Sequence, residues 1–86
     1  MVEIIYAPSF VRSFKKLEPA LQDDVVERIE LFRDEQNHEK LKVHKLQGRL
    51  GSTYSFSVNY STRIIFSYDK KHQACLLDVG SHDVYR

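Results

Sequence analysis

Apolar residues recur along this chain with two different periods, and the change from one to the other divides it. Residues 2–6 (V-E-I-I-Y) are short, β-branched and aromatic, and predict a first strand. Pro8 suits the first turn of a helix, where its missing N–H is no loss. Phe10, Phe14 and Leu17 then recur at spacings of four and three, an apolar stripe with Arg12, Lys15 and Lys16 on the other side. Pro19 interrupts this helix and opens a second. There Leu21, Val25, Ile29 and Phe32 follow i, i+4, i+8 and i+11, and Val26 widens the stripe. Asp23 and Asp24, in its first turns, suit the positive end of the helix dipole, and the acids from Glu18 to Glu35 read as a solvated face.

Residues 37–52 are polar, basic and punctuated by two glycines, which predicts a connecting segment. After it the period becomes two. Tyr54, Phe56, Val58 and Tyr60 alternate with Ser55, Ser57 and Asn59, the pattern of a half-buried strand with one polar face. Ser61-Thr62 predicts a tight turn and residues 63–68 (R-I-I-F-S-Y) a further strand. Residues 69–73 predict another turn, and residues 74–79 (A-C-L-L-D-V) a last strand. The order is β-α-α-β-β-β: an α+β domain with an antiparallel sheet and two helices packed on one face. The helices are expected to cover the Tyr54/Phe56/Val58 face and to leave the Ser55/Ser57/Asn59 face to solvent or a ligand.

Eighty-six residues make one domain, and 42% hydrophobic with 29% charged residues is an ordinary globular composition. No apolar run approaches the ~20 residues of a membrane span, and the first residues lack the basic and apolar regions of a signal peptide. Cys75, the single cysteine, cannot form an internal disulfide; in an apolar strand it reads as a small core residue, and a reducing cytoplasm as the natural compartment. The net charge is only +1, but it is unevenly spread. Residues 1–35 hold five Lys/Arg and eight Asp/Glu, whereas residues 36–86 hold eight and four. The second half therefore offers a basic side for phosphates.

Three segments add a resemblance. His44-Lys45-Leu46-Gln47-Gly48 looks like the H-x-L-x-G stretch that precedes the hairpin in YafQ-like toxins. Residues 60–66 (Y-S-T-R-I-I-F) look like the strand opening that carries an arginine in the same family. The tail, residues 79–86 (V-G-S-H-D-V-Y-R), looks like a RelE-type G-x-H/R…V-Y ending. With the element order, these motifs make the chain resemble the RelE/ParE toxin superfamily over nearly its whole length. The resemblance implies a microbial ribonuclease-like fold and a toxin of a type II toxin–antitoxin system. In its RelE branch such a toxin enters the ribosomal A site, cuts mRNA by metal-independent 2′-OH attack, and is neutralised by a cognate antitoxin.

That chemistry requires a base for the 2′-OH, a cation for the charged phosphorane and an acid for the departing 5′-oxygen. Histidine suits either proton transfer and arginine the middle task. The resemblance assigns His44 and His82 as the acid/base pair, Arg63 as the phosphate clamp, and Tyr85 as stacking partner or proton donor. Lys40, Lys42, Lys45 and Arg49 form a basic run suited to sequence-independent attraction to phosphate. Each has a plainer alternative: a solvated side chain, for Arg63 a partner for Asp69 or Asp78, and for Tyr85 an anchor of the C-terminus against the core. His38 and His72 read as surface residues. No cofactor is expected, and H-E-x-x-H, CxxC and G-x-S-x-G are all absent from the sequence. The chain departs from YafQ-like members where Ser57 and Ser61 or Thr62 stand in place of a hairpin histidine and acid. Two readings therefore remain beside the nuclease: a ParE-like inhibitor of DNA gyrase, and a non-catalytic binding module on the same scaffold.

Overall fold

A computed structural model of the chain describes residues 1–47 and 52–81. Strand β1 (Ile4–Tyr6) leads into helices α1 (Pro8–Lys15) and α2 (Pro19–Phe32), each begun by its proline. A 3-10 turn at Glu35–Asn37 precedes β2 (His44–Lys45), β3 (Tyr54–Ser57), β4 (Thr62–Tyr68) and β5 (Ala74–Ser81). The five strands lie in the order β1-β5-β4-β3-β2. The α+β class and the helix and strand order follow the expectation. The sheet, however, is mixed: β1 runs parallel to β5, with Ile4, Ile5 and Tyr6 opposite Ala74, Cys75 and Leu76. A parallel neighbour needs a long crossover, and everything between the two strands supplies it.

The sequence pattern and the structure agree on which face is buried. Phe10, Val25, Ile29 and Phe32 from the helices meet Phe56, Ile64, Phe66, Leu76 and Val79 from the sheet in one cluster. Phe32 is its hub. Its ring stacks on Phe56 at 4.4 Å, meets Phe66 edge-on at 4.9 Å and stacks on His38 at 4.6 Å. Such aromatic geometries add roughly 0.5–1.5 kcal/mol to the area they bury.

Side chains from the following segments satisfy the carbonyls that helix ends leave open. His38 Nε2 donates to the Phe32 carbonyl at 2.8 Å, and Asn37 Nδ2 to that of Leu31 at 2.9 Å. Gln22 Nε2, from α2, does the same for Phe14 at the end of α1 (2.9 Å). His38 is therefore half-buried and structural, unlike the surface residue expected; His72 is exposed, as expected.

Between Leu76 and Asp78 the β4–β5 register slips by one residue, so that Phe66 faces Leu76 and Ile65 faces Asp78. Two α1 serines, one helical turn apart, lock onto this bulge. Ser9 Oγ donates to the Leu77 carbonyl and Ser13 Oγ to the Asp78 carboxylate. Asp78 is thus engaged by α1. At the far end of the sheet, burial first, then Tyr54 and Glu35, hold the Tyr68 phenol above its ordinary value of 10.0. A group raised in the folded state supports the fold fully below its unfolded value, near pH 10, and loses that support as pH climbs past it.

The predicted connecting segment holds more structure than its composition suggests. Leu41 is buried to 1% exposure, its N–H donates to the Asn37 carbonyl, and its own carbonyl accepts from Ser57 N–H at 2.9 Å. Lys42 has φ 60°, the left-handed region, which a side chain with a Cβ enters at a cost of roughly 1–2 kcal/mol. Two substitutions separate these effects. His38→Ala removes a stacked ring and a helix-end bond and should destabilise by about 1–2 kcal/mol. That lowers Tm by about 4–8 °C per kcal/mol in a domain of this size. Lys42→Gly relieves the left-handed strain and should raise Tm. Thermal melts followed by circular dichroism check both; an unchanged Tm for His38→Ala would contradict the structural role given to that ring.

Candidate nucleic-acid interface

The sheet face away from the helices carries the polar alternates. Register puts Ser57 opposite Arg63, Ser55 opposite both Ile65 and His44, and Arg63 opposite Gly80. Since cross-strand partners share a face, His44, Ser55, Ser57 and Arg63 lie together. Two inter-strand spacings, about 10 Å, and two residues along the strands, about 7 Å, separate the His44 and Arg63 backbones. Ser55 is not open to solvent as expected: its side chain is fully buried, with Oγ 3.5 Å from His44 Nε2.

The His44 ring is oriented by backbone. The Lys42 carbonyl, an acceptor only, lies 2.8 Å from Nδ1, so Nδ1 carries the proton and Nε2 presents its lone pair. The side chain is exposed on β2, and the Nε2 lone pair faces Ser55 Oγ across 3.5 Å, a long contact that a substrate hydroxyl would have to replace. The strained Lys42 linkage presents this carbonyl, which gives the φ outlier a chemical consequence.

Arg63 is held by the turn that precedes it. Asn59 Oδ1 accepts from the N–H groups of Ser61 (3.0 Å) and Thr62 (2.9 Å), and Val58 N–H donates to the Thr62 carbonyl at 2.9 Å. The turn is thus centred on residues 59–61, not on Ser61-Thr62; β3 stops at Ser57 and Thr62 already belongs to β4. Arg63 Nη1 donates to the carbonyls of Asn59 (2.9 Å), Tyr60 (3.3 Å) and Thr62 (3.2 Å). A fixed cation of this kind suits an anion that arrives during reaction, because little reorganisation is needed.

Lys40, Lys42, Ser57, Asn59, Tyr60 and Arg63 line a concavity of about 320 Å³. Three cations and no carboxylate are among its described lining residues, so its field favours anions. The structure therefore brings Lys40, Lys42 and Arg63 together, with His44 on the same sheet face but outside this lining. It separates Lys45, which sits opposite Tyr54 on the other face of β2. His82, Tyr85 and Arg49 lie outside the described residues. Tyr60 was not among the expected site residues because it continued the alternation of a strand; Asn59, expected on the polar strand face, instead closes the turn. Asparagine, poor in strands and favoured in turns, was the available signal. Among the described residues no group of three or more His, Cys, Asp or Glu is arranged to hold a metal ion.

No family model matches the sequence, and no curated protein matches it. Solved structures do. The toxin–antitoxin complex RelBE2 from Mycobacterium tuberculosis contains a chain that matches with TM-score 0.71 at 23% identity, over 94% of this chain and 98% of that one. YafQ from Escherichia coli matches with TM-score 0.76 at 14% identity, over 95% and 94%. The archaeal RelE–RelB complex from Pyrococcus horikoshii matches with TM-score 0.71 at 21% identity, over 96% and 97%. At these identities the likeness is one of fold. It extends over nearly the whole length of each chain. The chain therefore has the RelE-like fold of the RelE/ParE toxin superfamily.

Proposed function

We propose that this chain is the toxin of a type II toxin–antitoxin pair and an endoribonuclease that cuts mRNA in the ribosomal A site. The observation that carries this reading is the convergence of Lys40, Lys42 and Arg63 in one concavity, with an oriented histidine on the same face of the sheet. His44 Nε2 takes the proton of a ribose 2′-OH as that oxygen attacks the neighbouring phosphorus. The bond from phosphorus to the 5′-oxygen breaks, leaving a 2′,3′-cyclic phosphate, and a proton returns to the departing oxygen. The resemblance gives that donation to His82 and gives Tyr85 a stacking or proton-donating role. Arg63 balances the negative charge that builds on the phosphorane, and Lys40 and Lys42 hold the flanking phosphate. Lys45 and Arg49 add to the general attraction for the strand. No metal or cofactor enters this scheme.

A cognate antitoxin is the second part of the proposal, supported by the toxin–antitoxin complexes among the structural matches. Its seat is the apolar groove of about 260 Å³ on the helical layer, lined by Tyr6, Phe10, Val11, Phe14, Val26, Ile29 and Glu30. Val26 and Tyr6 are 51% and 43% exposed there, and an amphipathic helix fits such a surface.

Induced expression with primer extension on a translated mRNA tests the first part. The wild type should arrest growth and create new mRNA ends. His44→Ala should slow cleavage by about 10²–10⁴-fold, and Arg63→Ala by about 10²–10³-fold. Growth arrest without new ends, unchanged in both variants, would move the target to gyrase or elsewhere. Co-expression tests the second part. Val26→Asp should keep full toxicity yet escape the antitoxin encoded beside it, and unimpaired rescue would remove the groove from the reading.

A further inference from the structure

Tyr60 is 94% exposed, although a tyrosine ring normally buries much of its area. Its backbone is the opposite of loose. The Asn59 carboxamide closes the turn around it, and Arg63 Nη1 bonds the carbonyls of Asn59, Tyr60 and Thr62. A rigid backbone thus presents an unburied aromatic ring on the lining of the same concavity that holds Lys40, Lys42 and Arg63. Cations for phosphate beside an open π-face are the two elements of a single-strand site.

We propose that Tyr60 is a stacking platform for an unpaired base of the substrate, next to the phosphate held by Lys40, Lys42 and Arg63. This deepens the ribonuclease reading and rests on it. Within a duplex each base is already stacked on both faces, so the ring can receive only a base that has left its helix. The site consequently selects single-stranded RNA and discriminates against the same sequence annealed to its complement. Stacking is tolerant of base identity, so Tyr60 sets strandedness and not sequence.

The chain contains no tryptophan, so Tyr60→Trp creates a single emission reporter at the platform itself. The probe is a short single-stranded RNA with 2′-O-methyl groups, which cannot undergo 2′-attack, compared with its duplex. Emission of Tyr60→Trp should be quenched at saturation by the single strand and left unchanged by the duplex. Tyr60→Ala should bind the strand about 5- to 100-fold more weakly, with the wild-type melting temperature and salt dependence. Lys40→Ala should instead reduce the salt slope, by roughly 0.7 for a single strand. Equal binding by wild type and Tyr60→Ala, unquenched emission at saturation, or no affinity of the wild type for the strand would each overturn the stacking role. So would full affinity for the duplex. Failure of the ribonuclease reading is seen separately, as the absence of new mRNA ends on wild-type induction.

Discussion

The rest of the molecule depends on the packing of Phe32. This ring ends α2 and touches β3 through Phe56, β4 through Phe66, and the segment beyond the helix through His38. Truncating a buried phenylalanine typically costs 3–5 kcal/mol, a large share of what a small domain has in hand. Its geometric effect reaches further than its energy. His38 is fixed by ring and carbonyl of the same residue, and three residues later Leu41 enters the core. Lys40 and Lys42 flank that buried leucine, and His44 follows from the Lys42 carbonyl. The basic rim of the concavity is thus tied to the centre of the core by a chain of direct contacts. A loop held only by its own polarity would not keep two lysines within reach of Arg63.

Arg63 plays a comparable part from the other side. Through the turn carbonyls it fixes the shape of residues 59–62, and through its charge it defines the electrostatic character of the concavity. One side chain therefore links the conformation of the hairpin end to the chemistry at its surface. The arrangement also explains how a strand can stop early without fraying. Val58 is buried and bonds across the turn, so the chain is anchored on both sides of the exposed Tyr60.

Much of the fold was legible because it rests on periodicity. The stripe Leu21, Val25, Ile29, Phe32 and the alternation from Tyr54 to Val58 each name a buried face without reference to distant residues. The misses share a cause. The two-residue strand His44–Lys45 is too short to show a period, and Leu41 is a lone apolar residue among lysines. The parallel β1–β5 pair is a long-range choice that local pattern does not encode. The bulge did leave a trace, since Leu76 and Leu77 break the alternation of β5. Tyr60 was misassigned because an aromatic in phase with a strand looks like core until the turn is known. The residue types His44, Arg63, Lys40 and Lys42 were readable, whereas the gathering of Lys40, Lys42 and Arg63 depends on the buried Leu41 and on the turn at Asn59.

A net charge of +1 describes neither side of this molecule. Asp23, Asp24, Glu27 and Glu30 are exposed on α2, in the layer on one side of the sheet. Arg63 and Ser57 belong to the other side. The molecule measures 24 Å across its smallest extent, about three Debye lengths at physiological ionic strength. An anion in the concavity is therefore governed by the nearby lysines and arginine, while the acidic helix face is largely screened from it. An acidic stretch on one helix and three cations gathered in a concavity on the other side of the sheet give this domain local surfaces of unlike chemistry, which a sum over the whole chain conceals.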